Sequence, residues 1–145
     1  FMNEIRKAKL SDLEDVIRLL ESFPEDIELP DIDWQDARRA FPELVEGKRG
    51  LVFLSLEDGS LAALLAISFS YVLRFGGEYA LIEDLIVDER YRGKGLASPL
   101  LQVGFEAARE RGCKEIQVNG ASEEGLPVYL KNGAHLAGKH LKCFL

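Results

Sequence analysis

The stretch Ile82-Glu83-Asp84-Leu85-Ile86-Val87-Asp88-Glu89-Arg90-Tyr91-Arg92-Gly93-Lys94-Gly95-Leu96-Ala97-Ser98-Pro99 constrains the fold more than any other part of this chain. A strand-like apolar run enters a loop with two glycines and continues directly into a segment of helical period. In that segment Leu96, Leu100, Leu101, Val103, Phe105 and Ala108 form an apolar stripe, and Gly112 ends it. Lys114 to Val118 then reads as a further strand, which completes a strand–helix–strand unit. The first amides of such a helix point outward without partners, and its dipole adds positive potential there. Gly93 and Gly95 allow positive φ and a close approach of ligand to backbone. The loop is therefore a candidate anion cradle whose donors are mainly main-chain N–H groups. Arg92 and Lys94 add local positive charge, and Pro99 occupies a first-turn position that needs no N–H. Neither of two other phosphate loops fits: the P-loop spacing is absent, and Ser98 stands where a dinucleotide fingerprint needs its third glycine.

The segments around this unit indicate one mixed α/β domain over residues 1–145. Ser11 and Glu14 have capping-box spacing ahead of Leu13, Val16, Ile17 and Leu20, which predicts an amphipathic helix over 12–22. A second helix is predicted over Trp34 to Glu46, ending at Gly47. Leu51 to Leu56, Asp58-Gly59 and Leu61 to Leu73 predict a hairpin, although the alanines and leucines of 61–67 alone would suit a helix. Gly76-Gly77 marks the next turn and Tyr79 to Val87 the next strand. Ser122 to Asn132 predicts a short helix, and the residues after it allow two short strands at most.

With 18 Lys plus Arg against 25 Asp plus Glu, the net charge of −7 repels phosphate backbones and anionic membrane surfaces. Neither nucleic acid nor membrane is an expected partner. The longest apolar run, Leu61 to Ile67, is far short of a membrane span. Phe1-Met2 reads as one extra residue before a start methionine, no signal peptide is apparent, and a cytoplasmic location is expected. Cys113, Cys143, His135 and His140 have neither disulfide-framework nor metal-ligand spacing, so no metal is expected.

Arg92-Gly93-Lys94-Gly95-Leu96-Ala97 resembles the Arg/Gln-x-x-Gly-x-Gly/Ala signature of the GNAT superfamily of acyl-CoA-dependent N-acyltransferases. Leu85-Ile86-Val87 is similar to that family's fourth strand, and Val128 to Ala134 is similar to its aromatic-Tyr-x-Lys-x-Gly segment. The resemblance implies a mostly antiparallel α/β sheet splayed between strands four and five, with helices on both faces. It implies acetyl-CoA as co-substrate, its pyrophosphate held by Arg92, Gly93, Lys94, Gly95, Leu96, Ala97 and Ser98. The pantetheine arm would lie along main-chain groups of Leu85, Ile86 and Val87. Ser122 or Asn119 is left open as a further contact to that arm. The implied general base is Glu83 and the implied acid for the departing thiolate is Tyr129. Alternation in a strand points Glu83 and Asp84 to opposite faces, and partial burial would make Glu83 a better base. An uncovered final strand edge makes a homodimer an expectation.

The acidic run Glu25, Asp26, Glu28, Asp31, Asp33 and Asp36 would attract a cationic acceptor. The expected reaction is transfer of an acetyl group to a small primary amine by direct attack in a ternary complex. Polyamines, aminoglycosides and basic amino acids are the acceptor classes, and Ile82-Glu83-Asp84 with Asn132-Gly133-Ala134 is similar to diamine acetyltransferases. Two other readings stay open: acetylation of a protein terminus or lysine, and a non-catalytic acyl-CoA-binding module.

Overall fold

The computed structural model describes residues 3–23 and 32–145, so Glu25, Asp26, Glu28 and Asp31 of the acidic run lie outside the described residues. Strands β1 (Asn3–Lys7), β2 (Gly50–Glu57), β3 (Ser60–Val72), β4 (Gly77–Val87) and β5 (Ile116–Val118) form a sheet in chain order. The first four are mutually antiparallel, and β5 joins β4 in parallel. Asp58 (φ 48°) and Gly59 (φ 82°) both take left-handed backbone, the turn that matches strand twist and closes the β2–β3 hairpin. That closure makes the Leu61–Ile67 run a strand, and Leu64 and Leu65 are buried on opposite faces of it.

Helices α1 (Leu13–Glu21) and α2 (Trp34–Glu46) cover one face, where Val16, Leu19 and Phe41 pack on Val52, Leu54, Leu64 and Ile86. Helix α3 (Ala97–Arg111) and the short α4 (Leu126–Lys131) cover the other. There Leu96, Leu100, Leu101, Ala108 and Tyr129 pack on Phe53, Ala63, Leu65, Ile67, Ala80 and Ile82. Burying a leucine as Leu100 and Leu101 are buried contributes about 2 kcal/mol each. Gly104 sets the distance of α3 from the sheet, since a Cβ there would come within 2.5 Å of Leu65 Cδ2. The far end of α3 is held by Arg111, whose guanidinium forms a two-pronged pair with Glu78 (2.9 and 3.1 Å). The same group donates to the Gly47 and Lys48 carbonyls and stacks 3.8 Å over the Phe69 ring.

Four local expectations are corrected. At the first helix Asp12, not Ser11, is the capping acceptor: its carboxylate takes the Lys9 amide (2.7 Å) and both ends of the Arg6 guanidinium (2.8 and 2.9 Å). A 3-10 turn over Leu10–Asp12 results, and Glu14 bonds to Arg38 instead. Lys114 and Glu115 fall outside β5, each giving β4 a single main-chain bond. Residues 122–125 form a turn closed by the Gly125 amide on Ser122 Oγ (3.0 Å), so α4 starts only at Leu126. Residues 134–145 contain none of the short strands expected there. A three-residue β5 offers too little ladder to offset the cost of ordering another strand.

Candidate active site

The site is built around one irregularity in β4. Ala66 pairs with Asp84 but Ile67 pairs with Ile82, so Glu83 is an extra residue, a β-bulge. Before the bulge the even-numbered residues turn their main chain toward β5, as the Ala80 amide shows by bonding the Glu115 carbonyl at 3.0 Å. After it the phase is reversed: the Asp88 amide bonds the Ala62 carbonyl of β3 at 2.8 Å. Alternation then gives Ile86 the same orientation as Asp88, while Leu85 and Val87 turn their N–H and C=O groups away from β3. Pairing with β5 ends at Ile82–Val118, so nothing in the ladder takes up the Leu85 and Val87 groups. This is the splay expected between the fourth and fifth strands. Of the three residues expected along it, Leu85 and Val87 present main chain to the opening. Ile86 faces β3 and buries its side chain with α1 and α2.

The bulge also corrects the expectation that Glu83 and Asp84 point to opposite faces. Ser68 Oγ donates to Glu83 Oε1 at 2.9 Å, and Asp84 stands opposite Ala66, two residues along the same face of β3. Both carboxylates therefore lie on the α1–α2 side. Glu83 is exposed, and the burial expected for it falls on Asp84. Desolvation, reinforced by the neighbouring Glu83 charge, pushes the Asp84 carboxyl up to about 6.

Beyond Val87 the chain forms a 3-10 turn over Glu89–Tyr91, capped by Asp88, and reaches the glycine loop. Arg92 folds back so that its Nε donates to the Val87 carbonyl at 3.2 Å. Gly93 (φ 78°) and Gly95 (φ 74°) are in the left-handed region, and open space lies where a Cβ would project from either. Leu96 provides no side-chain cap for α3, which leaves the first-turn amides of Ala97 and Ser98 for a ligand. The loop, these amides, the Leu85 main chain and the Val87 amide suit the pyrophosphate and arm of coenzyme A, the Val87 carbonyl being held by Arg92. Among the described residues no cluster of three His, Cys, Asp or Glu could hold a metal ion.

Tyr129 lies in the α3-side core, 8% exposed. Burial, with the Asp84 charge as second cause, pushes its hydroxyl up to about 12, so it stays protonated and can donate. Ser122 Oγ is engaged in the turn before α4, and Asn119 is exposed. Sequence reasoning missed Asp84, although the spacing signals it. The α3-facing residues run Ala80, Ile82, then Leu85 and Val87, and the step of three in place of two marks the bulge.

Comparison with known proteins agrees with this construction. The family model described as acetyltransferase (GNAT) family matches residues 13–133, and the chain belongs to that family. A glucosamine 6-phosphate N-acetyltransferase of Trypanosoma brucei brucei is 36% identical over 75 residues, 52% of this chain. The match spans about half that relative's length (48%). A crystal structure from Clostridium acetobutylicum, described as a predicted acetyltransferase with acetyl-CoA, has TM-score 0.84 at 25% identity, covering 99% of this chain and 96% of that one. The Arabidopsis thaliana glucosamine-6-phosphate N-acetyltransferase, 24% identical with TM-score 0.80 and 99% of each chain covered, shares the fold. Among the described residues no helix is long and apolar enough to cross a membrane.

Proposed function

We propose that the protein transfers the acetyl group of acetyl-CoA to a primary amine by direct attack within a ternary complex. The observation that carries this reading is the bulge at Glu83, which frees the β4 edge and sets Glu83 and Asp84 at its inner end, where the Asp84 charge raises the Tyr129 hydroxyl. The amides of Gly93, Lys94, Gly95, Leu96, Ala97 and Ser98 receive the pyrophosphate, with Arg92 fixing the loop to Val87. The Leu85 main chain and the Val87 amide hold the pantetheine arm as an added strand would be held. The thioester supplies an acyl carbon activated for attack.

An amine is protonated at neutral pH and must lose a proton before it attacks. The adjacent pair takes that proton: exposed Glu83 meets the ammonium ion, and the Asp84 titration sets the acid limb of the profile. The nitrogen–carbon bond forms, the carbon–sulfur bond breaks, and Tyr129 gives its phenolic proton to the departing thiolate. Positioning of the two reactants supplies much of the acceleration. Glu83, Asp84 and the described acidic residues Asp33 and Asp36 favour a small cationic acceptor, such as a polyamine, an aminoglycoside or a basic amino acid. The curated relative gives a second acceptor class, the hexosamine phosphates.

The test is Tyr129→Phe assayed by thiol release against diamines, an aminoglycoside, lysine and glucosamine 6-phosphate. Turnover should fall roughly 100- to 10,000-fold with acetyl-CoA affinity kept within about threefold, as expected for loss of a general acid. A non-catalytic module predicts no turnover in the wild type with any acceptor. With a basic peptide added to the panel, activity confined to its amines would favour a protein acetyltransferase.

A further inference from the structure

Helix α4 has six residues, too few to be stable alone, so the seat of Tyr129 must be set by contacts with the rest of the fold. Tyr129 and Val128 supply apolar contacts, and among the described residues Asn132 supplies the polar ones to α3. Asn132, at the C-terminal end of α4, donates from Nδ2 to the Val128 carbonyl (2.8 Å) and to Ser98 Oγ (3.1 Å). Its Oδ1 accepts from Gln102 Nε2 at 2.9 Å. Ser98 and Gln102 are four residues apart, on one face of α3 at successive turns. The Asn132 amide thus spans two turns of the helix that begins at the glycine loop.

The direction of each bond follows from chemistry. The Val128 carbonyl can only accept, which fixes the amide orientation, and both Nδ2 protons are then used. Ser98 Oγ is consequently an acceptor toward Asn132, and its own proton remains for another acceptor. In the first turn of α3, beside the outward amides of Ala97 and Ser98, that acceptor would be a ligand oxygen.

We propose that Asn132 is a positioning residue that joins the coenzyme loop to Tyr129, presenting the Ser98 hydroxyl as a donor to the pyrophosphate and holding α4 in register with α3. This rests on the coenzyme site proposed above and adds a coupling between its two ends. A plain C-cap on α4 would stabilise that helix alone and would not need the bonds to Ser98 and Gln102.

The experiment is a double-mutant cycle on the full chain with Ser98→Ala, Asn132→Ala and the pair. Acetyl-CoA Kd is read by calorimetry, and kcat by thiol release with the best acceptor. Each single variant should raise Kd about fivefold, the worth of one hydrogen bond, and the pair should be no worse than either single. Asn132→Ala should also lower kcat at saturating acetyl-CoA at least fivefold, whereas Ser98→Ala should not. Asn132→Asp should raise Kd at least as much as Asn132→Ala although it keeps the shape, because a carboxylate takes the Ser98 proton for itself. Should the Asn132 variants fold poorly, Gln102→Leu removes only the Oδ1 partner from an exposed position and should give a smaller Kd rise of the same kind. Additive Kd effects, or Kd and kcat within twofold of wild type in a folded Asn132→Ala, would overturn the coupling while leaving the coenzyme site intact. Absence of acetyl-CoA binding by the wild type would remove the site and the coupling together.

Discussion

Replacing Asp84 by Asn should make the protein more stable, and by an amount that depends on pH in a defined way. The carboxyl is raised from 3.8 to about 6 because burial disfavours its charge. Near pH 3.5 it is largely protonated in both native and unfolded chains and costs almost nothing. Above pH 6 it is ionised in both, but only the native state has moved the charge out of water. The cost therefore develops between pH 4 and 6 and is constant above that. A difference of about two units at about 1.4 kcal/mol each gives a penalty of roughly 3 kcal/mol. Asn is nearly isosteric and carries no charge, so Asp84→Asn should gain up to about 3 kcal/mol over wild type at pH 8 and little at pH 3.5. Urea unfolding of both proteins at pH 3.5, 5, 6, 7 and 8 gives the difference directly, with unchanged m-values certifying the comparison. If the gain were absent at pH 8, or equally large at pH 3.5, the assignment of a strained ionised carboxylate to Asp84 would be wrong.

The same titration predicts that kcat/KM falls as pH drops through about 6 and that Asp84→Asn flattens this limb; a limb unchanged in the variant would move the role elsewhere. Arg111→Met should cost about 3 kcal/mol by stranding Glu78 and the Gly47 and Lys48 carbonyls. A Tm drop of roughly 10 °C is the expected reading, and a drop under 3 °C would show the clamp to be slack. Gly104→Val should be at least as damaging, since its Cβ and methyls would enter space held by Leu65 and Ile67; a variant with unchanged Tm would refute the close approach of α3.

The elements legible in the sequence were those set by local chemistry. Asp58-Gly59 announces its hairpin because two consecutive positive-φ residues leave few alternatives, and Gly93 and Gly95 announce a loop into a helix for the same reason. Gly47 and Gly112 likewise mark the ends of α2 and α3. What depended on distant partners was harder to read. Asp12 displaced the Ser11 cap because Arg6 of β1 lies against it, and Glu14 is drawn off by Arg38 of α2. The bulge is a matter of register between β3 and β4, so Asp84 emerges as the more buried of the two adjacent carboxylates only when the strands are paired. Asn132 had a place in the tyrosine segment, but its bonds to Ser98 and Gln102 cross 34 and 30 residues of chain.

The proposed reaction depends on the loop from Gly93 to Ser98, with the free edge of β4, binding acetyl-CoA. Calorimetric titration of the purified protein and of Gly95→Val with acetyl-CoA tests it most directly. Gly95 has φ 74°, which a β-branched residue adopts only under strain, and its open side is where a phosphate would approach. The wild type should show one site per chain with micromolar affinity, and a folded Gly95→Val should lose binding. Absence of heat with the wild type, or equal affinity in the variant, would contradict it.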